Sequence, residues 1–401
     1  MTSKWESNED IQRFREYLRI PTVQPNVNYD ECVNFIKRQA EELDLPVNIF
    51  YPAYPTKPVV ILTWQGIDPT LESILLNSHM DVVPVDLEHW THKPFDADID
   101  DEGRIFARGT QDMKSVGMQY LRAIKALKKQ GVQLKRTVHL MYVPDEEIGG
   151  ENGTRAFVST DAFKRLNVGF ALDEGIATPD ETFPVFYAER SEWRPHFKCY
   201  GTTGHGALLH EKTAGEKIRF IIDRFMDYRS EQVQILKDNP ALNVGDVTTV
   251  NLTILHGGVQ VNVVPTALSA NFDVRLSINV DHDEFEKMLR KWCEEAGADI
   301  ELTFEAKRPK VPATRIDGTN PYWTAIYETL VNDLKLKIKP LVSAVRTDSC
   351  YIREIGIPAI GFSPLNHTPV LLHSHDEFVS AEVYLTGIRI YENLIKKLGN
   401  V

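Results

Sequence analysis

Two stretches near the start of the chain, residues 8–18 and 29–43, carry apolar side chains at helical spacing, so each predicts an amphipathic helix. Short apolar runs at 47–50 and 59–62 read as strands. Residues 74–76, Ile-Leu-Leu, are apolar without alternation, as in a strand buried on both faces. Helical spacing returns over 113–129, with Val116, Tyr120, Ile124 and Leu127 on one stripe, and Gly131 follows as a stop. A β-branched run at 137–143 ends at Pro144, and 169–172 is another buried strand. Strands alternating with helices predict an α/β domain whose mostly parallel sheet carries helices on both faces.

From about residue 188 the pattern changes. Runs at 194–200, 247–254 and 268–276 are longer and alternate, and helical stretches near 215–234 and 281–298 separate them. That profile predicts an antiparallel sheet with helices on one face, an α+β domain. Alternating βα character returns at 322–334, 357–362 and 381–397. The expected organisation is a first domain in two parts, 1–187 and 308–401, with an inserted domain at 188–307. No internal repeat or low-complexity tract is visible.

A length of 401 residues, with 42% hydrophobic and 25% charged side chains, is ample for a globular core. The formal net charge of −12 repels phosphate backbones, which argues against nucleic acid as a partner. Four cysteines stand far apart with no C-x-x-C pair, the pattern of free thiols in a reducing compartment. The N-terminus is polar with no leader-like apolar core, and no stretch reaches the roughly 20 apolar residues of a membrane span. These features predict a soluble cytoplasmic protein with no membrane contact.

The candidate chemistry sits where apolar runs end. His79-Met80-Asp81 follows the 74–76 strand: the imidazole can ligate a metal while a carboxylate on its other nitrogen orients the ring. Alone, the same pair also fits an ordinary loop histidine. Asp112 precedes the 113–129 helix, where it could be a plain N-cap or could offer one oxygen to each of two metals. Glu146 and Glu147 follow the 137–143 strand, and neighbouring side chains point different ways. One can bind metal while the other acts as general base; the alternative is an exposed turn before Gly149-Gly150. Asp173-Glu174 repeats the strand-end placement, and one of the two suffices as a ligand. His373 and His375 follow Val370-Leu371-Leu372. Clusters at such strand ends converge on one crevice of an open α/β sheet, which predicts a metal site with two ions. The chain has no G-x-S-x-G elbow, phosphate loop, dinucleotide fingerprint or H-E-x-x-H.

Together these motifs resemble the M20 metallopeptidase family, in order and over essentially the whole chain. They are His79-Met-Asp81-Val-Val-Pro, Gly109-Thr-Gln-Asp112-Met-Lys, Asp145-Glu146-Glu147-x-Gly-Gly, Asp173-Glu174-Gly and Leu372-His373-Ser-His-Asp-Glu377. Glu189-Arg190-Ser191, Asn262-Val-Val-Pro265 and Gly361-Phe362-Ser363-Pro364 add to the match. The resemblance implies two Zn2+ ions in a catalytic domain and a smaller lid or dimerisation domain inserted into it. One ion would be held by His79, Asp112 and Glu174, the other by Asp112, Glu147 and His373, with Asp112 bridging. Glu146 matches the general base and Asp81 the residue that orients His79. Glu174 is favoured over Asp173, and His373 over His375 because it stands four residues before Glu377. In the inserted domain, His205 resembles an imidazole that supports the oxyanion at a partner subunit's site, so a homodimer is implied. Asn262 and Arg275 resemble residues that hold the substrate's carbonyl and carboxylate. The chain departs from the family's Gly-His-Ala-Ser or Gly-His-Ser in having Gly204-His205-Gly206-Ala207. The implied activity is zinc-dependent hydrolysis of N-acyl-L-amino acids to a carboxylate and a free L-amino acid, with cleavage of dipeptides by a metallo-exopeptidase as the alternative.

Overall fold

The computed structural model describes residues 5–401. The first four residues, the start of the polar segment read above as lacking a leader, lie outside the described residues. The chain forms two compact units. One runs up to Tyr187 and resumes at Ala313–Pro340 and Thr347–Val401; the other comprises Ala188–Pro312 with Leu341–Arg346.

The first unit is organised by an eight-stranded sheet. Its strands lie in the order Val47–Phe50, Val59–Trp64, Val138–Val143, Ser73–His79, Val168–Asp173, Ala359–Gly361, Thr182–Glu189 and Lys337–Ser343. The four central strands are parallel. Val59–Trp64 joins them antiparallel on one side and Thr182–Glu189 on the other. Every residue of Ser73–His79 and Val138–Val143 is buried, which is why their apolar residues, such as the run Ile74-Leu75-Leu76, show no alternation.

The helix Lys114–Lys129 packs on the Ser73–His79 strand and against the helices Glu9–Leu18 and Ala381–Leu398. Gly117 makes the first of these contacts possible: a Cβ there would stand 2.5 Å from Ser78 Oγ. Aromatic pairs fill the space between helices, with Phe14 stacked on Tyr384 at 4.3 Å and Tyr120 tilted against Tyr391 at 4.5 Å.

The second unit holds an antiparallel sheet in the order Thr249–Gly257, Ala267–Leu276, Ser191–Tyr200 and Ile300–Lys307. Trp193, Phe197, Phe272 and Val274 form one core with Ile221 and Phe225 of the helix Ala214–Asp238 and with Phe285 and Leu289 of the helix His282–Glu295. This unit runs past residue 307 for a local reason. Trp193 Nε1 donates to Arg308 O at 2.9 Å and Ser191 Oγ to Pro309 O at 3.0 Å. Arg190 Nη2 likewise donates to Ala344 O at 2.9 Å, tying in the 341–346 segment. Among the described residues, no helix is long and apolar enough to cross a membrane.

Candidate metal centre

His79, Glu147 and Glu174 stand at or shortly after the carboxyl ends of central parallel strands, while Asp112 and His373 come from separate turns. His79 closes its strand fully buried, and its Nε2 lies 2.9 Å from Asp112 Oδ1 and 3.7 Å from Glu174 Oε2. Glu174 comes one residue after the Val168–Asp173 strand. On the other side of Asp112, Oδ2 is 3.3 Å from His373 Nε2, which is 3.1 Å from Glu147 Oε2. Two groups of three donors result, His79–Asp112–Glu174 and Asp112–Glu147–His373, each with its donor atoms within 4.8 Å of one another. Asp112 belongs to both. It is not spent on capping, because Met113 is the N-cap of the following helix and makes no side-chain cap bond.

The geometry separates the alternatives left by each tandem pair. Asp173 is already engaged: its carboxylate accepts from Asn77 Nδ2 at 2.9 Å, Thr347 Oγ1 at 3.0 Å, and Ser349 N and Oγ at 2.8 Å. Glu174 is left facing His79. His375 stacks on His89, with ring centroids 5.3 Å apart, while His373 faces Asp112 and Glu147. Asp81 differs from expectation. Its backbone carbonyl, not its carboxylate, takes His79 Nδ1 at 2.8 Å, and the carboxylate stands 3.6 Å from that nitrogen. The chain turns there so that the carboxylate can accept from Gln24 Nε2 at 2.7 Å and from the backbone N–H groups of Glu146 and Glu147 at 3.2 Å. Asp81 therefore orients the ring through its main chain and holds the Glu146–Glu147 turn through its side chain.

Gln24, Lys57 and Asp145 complete that hold, and neither Gln24 nor Lys57 carries a signal in the sequence. Asp145 adopts φ 67°, a left-handed conformation costly for a non-glycine residue unless neighbours enforce it. Its carboxylate accepts from Lys57 Nζ at 2.6 Å, Gln24 Nε2 at 3.0 Å and Asn152 Nδ2 at 3.3 Å. The acidic triplet 145–147 was visible, but partners on distant loops were not.

The electrostatics call for positive charge. Burial, then the charge of Asp112, pushes the Glu174 carboxyl well above the usual carboxylate range. The same two causes lift Glu147 to about 7. Burial and the charge of Glu174 raise Glu146, which lies outside both donor groups. Burial works against a charged His79, yet Glu174 and Asp112 hold its pKa well above the ordinary imidazole value. Hydrogen bonds to Asp112 and Glu147 lift His373 to about 10. Glu147 Oε1 is buried without a hydrogen-bond partner. Crowded carboxylates, an orphaned carboxylate oxygen and two imidazoles form an N/O donor set that fits divalent ions such as zinc, with three protein donors at each position.

In the second unit, His205 pairs with Val263 across a two-residue ladder, and Gly206 N donates to Asn262 O at 2.8 Å, so His205 and Asn262 are neighbours. Both side chains belong to exposed residues. Arg275 holds Asp273 through Nε at 2.8 Å and Nη2 at 3.0 Å, and lies 3.6 Å from Glu192. Its fork is thus largely committed within its own sheet.

The model of Peptidase family M20/M25/M40 matches residues 75–397. Aminoacylase-1 of Homo sapiens is 46% identical over 403 aligned residues, covering 100% of this chain and 98% of the relative. Among solved structures, an M20 family metallo-carboxypeptidase from Sulfolobus solfataricus superposes with a TM-score of 0.73 at 21% identity, covering 98% of this chain and 99% of that one. A dinuclear metal-binding M20 peptidase from Bacillus subtilis gives 0.71 at 18% identity, with 96% of each chain covered. These last two establish the shared fold. By the matched span and the full-length relative, the chain belongs to peptidase family M20/M25/M40.

Proposed function

We propose that this metal-dependent hydrolase converts N-acyl-L-amino acids to a carboxylate and a free L-amino acid. The observation that carries the reading is the full-length likeness to aminoacylase-1, supported by two groups of metal donors that share Asp112. We assign two zinc ions to the paired donor groups, with Asp112 shared. Bound there, zinc supplies Lewis acidity that acidifies water and polarises the scissile carbonyl.

The protein's own groups then do the following. Glu146 accepts a proton from the attacking water and delivers it to the departing amine as the C–N bond breaks. Its turn is held by Asp81 and Asp145, so the carboxylate stays in place through the cycle. His205 donates to the oxyanion, a contribution of roughly 3–4 kcal/mol in comparable sites. Asn262 beside it holds the carbonyl. Arg275, with Nε and Nη2 on Asp273, has Nη1 with which to meet the substrate carboxylate. Against a panel of dipeptides, N-acetyl-L-methionine should give the higher kcat/KM; faster turnover of the dipeptides would favour the exopeptidase reading instead.

A homodimer suits the second unit. Thr249–Gly257 is an edge strand exposing Ile254 and Leu255, and such an edge is a ready surface for a second copy. We assign His205 to the partner subunit's reaction. Mixing His205→Ala and Glu146→Ala chains should restore part of the activity that each homodimer lacks, and absence of rescue would place the whole site within one chain. Four cysteines, none in a disulfide, suit the reducing cytoplasm.

A further inference from the structure

Three of the candidate donors stand in turns or coil rather than on regular elements, and two of these, Asp112 and His373, lie in segments tied to one buried ion pair. Arg108 and Glu377 face each other with Nη1 and Oε2 2.7 Å apart, both side chains almost wholly buried. Glu377 gathers the Asp112 turn. Its Oε2 also accepts from Gly109 N at 3.2 Å, and its Oε1 accepts from Gln111 N at 2.6 Å, Thr110 Oγ1 at 3.3 Å and Asp112 N at 3.4 Å. Arg108 gathers the His373 turn, donating to Ser374 O at 3.0 Å and His373 O at 3.3 Å.

His373 needs such a hold, because its φ of 59° is left-handed. The Arg108 guanidinium also lies over the Trp90 ring, 5.3 Å from its centre. Gln111 adds a cross-link, donating to Pro369 O and Phe378 O and accepting from Leu371 N. A buried ion pair is a poor device for stability alone, since an apolar pair of similar volume often does as well. What an apolar pair could not do is collect four hydrogen-bond donors from one turn and two carbonyls from the other.

Resting on the two-ion reading above, we propose that Arg108 and Glu377 are positioning residues that set the separation of Asp112 from His373, and thereby the affinity of the Asp112–Glu147–His373 group for its ion. The other group depends on them less. Two of its three donors, His79 and Glu174, stand at or directly after buried central strands, and only Asp112 is shared.

The test is calorimetric titration of zinc alone into chelator-treated full-length protein, for the wild type, Glu377→Gln and Arg108→Lys. Glu377→Gln removes the charge, and Arg108→Lys keeps the charge but loses the fork that reaches both turns. His373→Ala identifies which binding step belongs to the second group. In both variants that step should weaken roughly 10–100-fold, the range typical of partners that hold metal ligands, while the first step stays close to wild type. Should Glu377→Gln fail to fold, Arg108→Lys decides alone. Two wild-type steps that are both unchanged in the variants, or both weakened alike, overturn the inference and leave the two-ion reading standing. Fewer than two steps in the wild type overturn that reading and the inference with it.

Discussion

Replacing Glu146 with alanine is expected to lower kcat roughly 10²–10⁴-fold while leaving zinc content at the wild-type level. Glu146 belongs to neither donor group, so its loss removes no ligand. Its backbone N–H is held by Asp81, so the turn survives truncation and Glu147 keeps its place. What disappears is the carboxylate to which the proposed mechanism gives the proton transfer from water to amine. Burial and the neighbouring Glu174 raise its pKa, and bound cations would offset that repulsion, the balance a base near neutral pH requires. Glu146→Gln keeps the shape without the basicity and should lose as much. Turnover of N-acetyl-L-methionine, measured beside zinc per chain, checks both halves. Retained turnover, or zinc lost together with activity, would remove Glu146 from the role.

Asp112→Ala should do more damage by a different route. Asp112 is the one donor common to both groups, so its removal leaves each with two protein ligands. Burial disfavours its charge, yet hydrogen bonds from His373 and His79 hold its carboxyl well below the usual carboxylate range, as suits an oxygen donor on each side. Zinc content should fall from two per chain to below one after dialysis, with turnover at background and the melting temperature no longer raised by added zinc. A variant that still bound two ions would show that the donors do not share Asp112.

The strand ends were readable because continuous apolar runs mark strands buried on both faces, and each run is followed by its acidic or imidazole cluster. The choice between neighbours was not readable from periodicity, since partners across the fold make it. Asn77, Thr347 and Ser349, which claim Asp173, lie 96 to 176 positions away along the chain. Glu377 entered the reading as a spacing mark behind His373, and its partner Arg108 is 269 positions away. For Asp81 the residue was recognised but the contact was not, because main-chain direction at a strand end decides which oxygen meets the ring. Two strands of the eight-stranded sheet stayed hidden for a local reason. Thr182–Glu189 and Lys337–Ser343 contain Pro184 and Pro340, and proline within a run argues against a strand; Lys337–Ser343 is the sheet's edge strand and Thr182–Glu189 lies next to it.

The most direct test of the central claim is to strip the wild-type protein of metal with a chelator. Zinc is then added in measured equivalents while hydrolysis of N-acetyl-L-methionine is followed. Activity should be absent at the start, rise with added zinc and level off at two ions per chain. Full activity in the stripped protein, or no hydrolysis at any zinc loading, would contradict the account.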